Sequence, residues 1–152
     1  MVLAGAQREV DLVARAARSF GVRRRHRRRD ALVRLAGVVS QAGVHDLREA
    51  DRLDLGEGAT AAFMGGHADD LPDAYADASP IERVPLGVPV LLVHGEADER
   101  VPASMSSSYA EAARGAGDEV HLALRPGEDH FVHLDVDGGA WFDVTSWLER
   151  FG

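Results

Sequence analysis

At 152 residues, 45% of them hydrophobic, the chain has the length and apolar material for one globular domain with a core and not for two; it lacks cysteine, which excludes disulfides, thiolate nucleophiles and cysteine metal sites. Its net charge of −8 is unevenly spread: residues 1–34 hold ten arginines against Glu9, Asp11 and Asp30, and the remainder holds seven arginines against twenty-two acidic residues, with no lysine anywhere, a composition that reads as coding bias. No apolar run approaches the roughly 18 residues of a membrane span and no secretory pattern opens the chain, so a soluble, cytoplasmic protein without a membrane partner is expected.

Val10, Val13, Ala14, Ala17 and Phe20 recur at helical spacing and predict an amphipathic helix over 9–20, stopped at Gly21. Six arginines then fall within 23–29, interrupted by His26, for which no role is legible; the run repels itself and buries nothing, and reads as an exposed loop or frayed helix end. A buried strand is predicted over 32–39, closing at Ser40 and Gly43. Residues 45–85 read as an irregular connection, with helical pieces at 59–64 and 72–76 between glycine and proline stops, and as a cap over a site. The almost unbroken apolar run 88–94, entered through Pro89 and closed by Gly95, has the composition of a central parallel strand covered on both faces. An alanine-rich helix over 104–116 and an alternating strand over 119–124 complete a βαβ unit. Trp141, Val144, Leu148 and Phe151 repeat every three or four residues and predict a C-terminal amphipathic helix, whose aromatic stripe of Trp141, Trp147 and Phe151 is expected to pack in the core.

In an open parallel sheet the reactive groups gather at the carboxyl ends of strands. Two loops occupy such positions: His94-Gly95-Glu96-Ala97-Asp98-Glu99-Arg100-Val101-Pro102 and Pro126-Gly127-Glu128-Asp129-His130-Phe131. In this order, around one βαβ unit, the pair resembles the acid and base loops of the α/β-hydrolase family, and Ser108-Tyr109, Ala112-Ala113, residues 115–120 and Ala140-Trp141 are similar to its small esterase branch. The resemblance covers roughly residues 32–151. It implies a three-layer α/β/α sandwich, a partial α/β-hydrolase fold with a mostly parallel sheet. It also implies Asp98 as catalytic acid, His130 as catalytic base, no organic cofactor, and a small-molecule ester or amide as substrate.

The family's nucleophile stands in a Gly-x-Ser-x-Gly elbow, and this sequence contains none. Only nine residues, 23–31, separate Val22 from Leu32, where strand, elbow and helix would need about 20. Three origins fit: deletion of the elbow, a disrupted or wrongly started reading frame, or an inactive relative that keeps the shape of its site. The chain accordingly divides into residues 1–30, a helix plus an aberrant Arg-rich segment, and residues 31–152, the C-terminal part of a hydrolase domain. Missing strands would expose a sheet edge and favour a homo-oligomer.

Ser40 has the most nearly suitable surroundings for a substitute nucleophile, against the plainer expectation that its hydroxyl bonds the turn backbone. For Ser104, Ser106, Ser107 and Ser108, at a helix start, capping is the expectation. Two sets could suggest a metal, His130 with His133 and Asp135, and His94 with Glu96 and Asp98, but loop spacing shows neither ligand count nor convergence, and no metal is expected. The Arg run could meet phosphate, yet no helix-turn-helix pattern or interleaved aromatics accompany it and the body is acidic, so no nucleic-acid partner is expected. Two functional classes remain: a serine hydrolase impaired by loss of its elbow, and a non-catalytic hydrolase-like remnant or partner-binding protein.

Overall fold

Three short apolar segments form the sheet. In the computed structural model, which describes residues 35–152, β1 (Val38–Gln41), β2 (Val90–Gly95) and β3 (Val120–Arg125) are all parallel, in the order β1-β2-β3. Between β1 and β2 run α1 (Leu47–Arg52), α2 (Ala59–Met64), α3 (Pro72–Ala78) and a 3-10 turn at Pro80–Arg83. The 12-residue helix α4 (Ser104–Gly115) joins β2 to β3, and α5 (Gly139–Leu148) follows β3. The helix expected over 9–20, the Arg-rich run and the start of the strand expected from Leu32 lie outside the described residues.

Alternation along β2 explains the layering. Successive side chains of a strand point to opposite faces. Val90 and Leu92 therefore meet Tyr109, Ala110 and Ala113 of α4, while Leu91 and Val93 meet Ala140, Val144 and Trp147 of α5. Every β2 residue is buried, as a central strand covered by helices on both sides requires. Burying each leucine contributes about 1.5–3 kcal/mol, so this strand anchors both halves of the core. The described residues thus form a three-layer α/β/α sandwich around a partial α/β-hydrolase sheet.

Three expectations need correction. Within the described residues the first strand is paired only from Val38: residues 35–37 are not strand, pairing starts at Val38↔Val90 with the Val38 amide on the Pro89 carbonyl, and Leu35 is left 64% exposed. Gly37 passes beneath the Trp147 and Phe151 rings, where a Cβ would collide. Residues 45–85 are more regular than expected, because Asp46 caps α1: its Oδ1 accepts from the Arg48 and Glu49 amides at 3.0 and 3.1 Å. Ala50 of α1 packs on Val101 and Met105, so the segment walls in the loop that follows β2. Finally, no serine caps α4; Ala103 occupies that position without a side-chain bond, Ser106 turns inward to His94, and Ser107 bonds back to the Ala103 carbonyl.

Candidate active site

Backbone bonds fasten together the loops leaving β2 and β3. The Glu96 amide donates to the Arg125 carbonyl at 3.0 Å and the Ala97 amide to the Glu128 carbonyl at 2.9 Å. Gly95 permits this approach: a Cβ there would strike the Glu128 and Asp129 carbonyl oxygens. Gly127 turns the second loop at φ +73°, a conformation glycine adopts without penalty. Side chains add to the clamp, with Arg125 holding Glu128 at 3.0 Å and Asp143 at 3.4 Å, and the Arg100 guanidinium 5.0 Å above the Phe131 ring.

This clamp brings Asp98 and His130, 32 residues apart, into contact: His130 Nδ1 lies 2.8 Å from Asp98 Oδ2. The Asp98 side chain is fully buried, whereas a quarter of the His130 side chain reaches solvent. The other carboxylate oxygen, Oδ1, accepts from the Arg100 and Val101 amides, both at 2.8 Å. Burial pushes the Asp98 carboxyl up, but the Val101 amide, the His130 ring and the Arg100 amide together outweigh it and hold it below the ordinary carboxylate range. Asp98 is therefore an anion that fixes the ring nearest it. With Nδ1–H directed at the carboxylate, His130 keeps Nε2 as its basic nitrogen.

A second histidine shares the carboxylate. His94, wholly buried at the end of β2, has Nε2 at 3.1 Å from Asp98 Oδ2 and 2.9 Å from the Val101 carbonyl, with Nδ1 at 2.7 Å from Ser106 Oγ. In the sequence His94 stands as the end of a strand and as one member of a metal set, not as a partner of Asp98. A polar residue within an apolar central strand must find partners, and that was the available signal.

Ser40 does not bond the turn backbone as expected; its Oγ lies 2.9 Å from His45 Nε2. His45 is buried and stacks on Tyr109 with ring centroids 4.7 Å apart. Burial foremost, and the nearby His94 second, lower its pKa to about 4. Ser40, His45, Arg83 and Tyr109 border a cavity of about 310 Å³ whose lining includes neither Asp98 nor His130. The two suggested metal sets do not converge: Glu96 and Asp135 are exposed, and among the described residues no group of three or more His, Asp or Glu could hold an ion. The aromatic stripe packs as expected at Trp147, which is 9% exposed, while Trp141 is half-buried and donates its indole N–H to the His133 carbonyl at 2.7 Å. Among the described residues no helix is long and apolar enough to cross a membrane.

The family model described as the prolyl oligopeptidase family, Peptidase S9, matches residues 34–150. The chain belongs to this family. That family is one of serine hydrolases within the α/β-hydrolase superfamily, and both loops described above lie within the prolyl oligopeptidase match. An acylamino-acid-releasing enzyme from Mus musculus is 27% identical over 115 residues, 73% of this chain and 15% of that protein. Dipeptidyl-peptidase 5 from Porphyromonas endodontalis is 31% identical over 120 residues, 74% of this chain and 17% of that protein. Among solved structures, an acetyl ester-xyloside bifunctional hydrolase from Caldicellulosiruptor lactoaceticus is similar at a TM-score of 0.63 and 26% identity, covering 78% of this chain and 43% of that one. The chain thus spans about one sixth of these curated relatives and less than half of that solved structure.

Proposed function

We propose that residues 31–152 supply the acid and base of a serine-hydrolase site that cleaves a small acyl ester or amide. Asp98 is the acid and His130 the base. The observation that carries this reading is the 2.8 Å contact between Asp98 Oδ2 and His130 Nδ1 at the carboxyl ends of adjacent parallel strands. In this mechanism His130 Nε2 takes the proton of a serine hydroxyl as its oxygen attacks the acyl carbon. The buried Asp98 anion steadies the imidazolium that results, and the proton passes to the leaving alkoxide or amine as the acyl-enzyme forms. Water, deprotonated by the same nitrogen, then releases the acid. Among the described residues no serine hydroxyl bonds His130, and the sequence lacks a Gly-x-Ser-x-Gly elbow, so the activity is impaired relative to a hydrolase with a positioned nucleophile and oxyanion hole.

The test is labelling of the full chain with a fluorophosphonate probe, read by intact mass. A slow single adduct is expected, and its rate should fall on the order of 10²-fold or more in His130→Ala. No adduct on folded protein would overturn the catalytic reading and leave a hydrolase fold without hydrolase chemistry.

A further inference from the structure

His94 stands within the strand, where neither acid nor base of the proposed reaction lies, yet it touches the acid directly. Its Nε2 faces two acceptors, Asp98 Oδ2 at 3.1 Å and the Val101 carbonyl at 2.9 Å, and neither can donate to it. The Nε2 position therefore carries the hydrogen. At Nδ1 the partner is a hydroxyl, Ser106 Oγ at 2.7 Å, which can donate to a neutral ring. Both residues are shut off from solvent, at 0% and 1% exposure, so no water competes for these bonds.

We propose that His94 is a positioning residue for Asp98, donating Nε2–H to the same carboxylate oxygen that receives Nδ1–H from His130, with the Ser106 hydroxyl satisfying the far side of the His94 ring. The bonds then run in one direction, from Ser106 O–H to His94 Nδ1 and from His94 Nε2–H to Asp98 Oδ2, where they meet the His130 bond. Oδ1 is tied by two backbone amides, which set the height of the carboxylate; His94 sets its rotation and hence the aim of Oδ2 at His130. Serine, histidine and aspartate follow one another in this relay, each within hydrogen-bond reach of the next, but the serine faces the core, beyond any substrate. The relay is consequently a brace, and Ser106 is not a nucleophile.

This inference rests on the proposed roles of Asp98 and His130, and its test needs no turnover. Imidazole nitrogen and proton resonances of the full chain are recorded at neutral pH. His94 should show a pyrrole-like Nε2 and a pyridine-like Nδ1, and His130 a slowly exchanging downfield Nδ1 proton. In His94→Leu that proton should exchange with water at least about tenfold faster, since removing the bond frees the carboxylate to rotate. His94→Gln, whose amide carries two hydrogens for the same two acceptors, should restore slow exchange. Ser106→Ala should give an intermediate rate, and it decides the matter by itself if His94→Leu does not fold. Asp98→Ala separates the two claims. If the His130 signal survives Asp98→Ala, the acid–base pairing itself fails. If Asp98→Ala abolishes it while His94→Leu, or Ser106→Ala where that variant alone folds, leaves the exchange rate unchanged, the pairing stands and the brace is overturned.

Discussion

The ends of β1 and β2 lie side by side in the sheet, and each region holds a buried histidine bonded to a serine hydroxyl. Ser40 and His45 meet at 2.9 Å near the end of β1; Ser106 and His94 meet at 2.7 Å at the end of β2. Among the described residues, only the second histidine reaches a carboxylate. Among the described residues His45 has no carboxylate to balance a positive charge and its Nδ1 finds no partner, and burial leaves the ring a poor base. Through Asp98, the β2 region is also joined to a ring that solvent can reach, His130. Serine beside histidine therefore does not by itself bring a carboxylate to the ring. What distinguishes the regions is an anion held by backbone amides and the exposure of one ring beyond it.

Four experiments would break or sharpen that contrast. The largest effect is expected from Gly95→Val, which forces a branched side chain into the Glu128 and Asp129 carbonyls and should cost about 3 kcal/mol or more in denaturant unfolding. It should also separate Asp98 from His130; a variant as stable as the parent would disprove the close approach of the loops. Next is the acid limb of stability. Since the folded value of His45, about 4, lies below its ordinary 6.5, the unfolded chain binds the extra proton between them, and stability is full above pH 6.5 and declines as pH falls to 4. The loss is on the order of 3 kcal/mol, and His45→Gln should flatten the curve there.

Asp98 acts lower on the pH scale. Its depressed carboxyl contributes stability above the unfolded value that is lost as pH falls through the folded one, so Asp98→Asn should remove a second, more acidic step. A single step common to both variants would mean that the two regions titrate as one. The smallest effect is expected for Ser40→Ala, about 1 kcal/mol or less, with fluorophosphonate labelling unchanged. Loss of labelling in that variant would make Ser40 the nucleophile and reverse the contrast.

Much of this architecture was legible because the residues concerned face only one demand. The β2 run from Val90 to Val93 is apolar on both faces and had no alternative to a central strand, and the loops of Asp98 and His130 are marked by glycines that backbone geometry requires. The helix α1 buries only Ala50, too little to leave a periodic trace in the sequence. Its signal was the cap, Asp46 with Glu49 three residues on. The start of pairing in β1 is not legible in the sequence, since it is set by where β2 starts, and the residues before Val38 carry no record of that. The roles of His94 and Ser106 were hidden for a related reason: they depend on what a strand and a helix present to each other across the core, information spread over positions 12 apart.

The bonds from Glu96 and Ala97 to the carbonyls of Arg125 and Glu128 extend the β2–β3 pairing past the ends of the strands. That gives the Asp98–His130 contact a particular lifetime. Loop side chains reorient in picoseconds to nanoseconds, but parting these two loops means unzipping the carboxyl end of a parallel sheet, a local opening on the microsecond scale or slower. On any shorter timescale the Asp98 carboxylate and the His130 ring travel with the two strand ends that carry them.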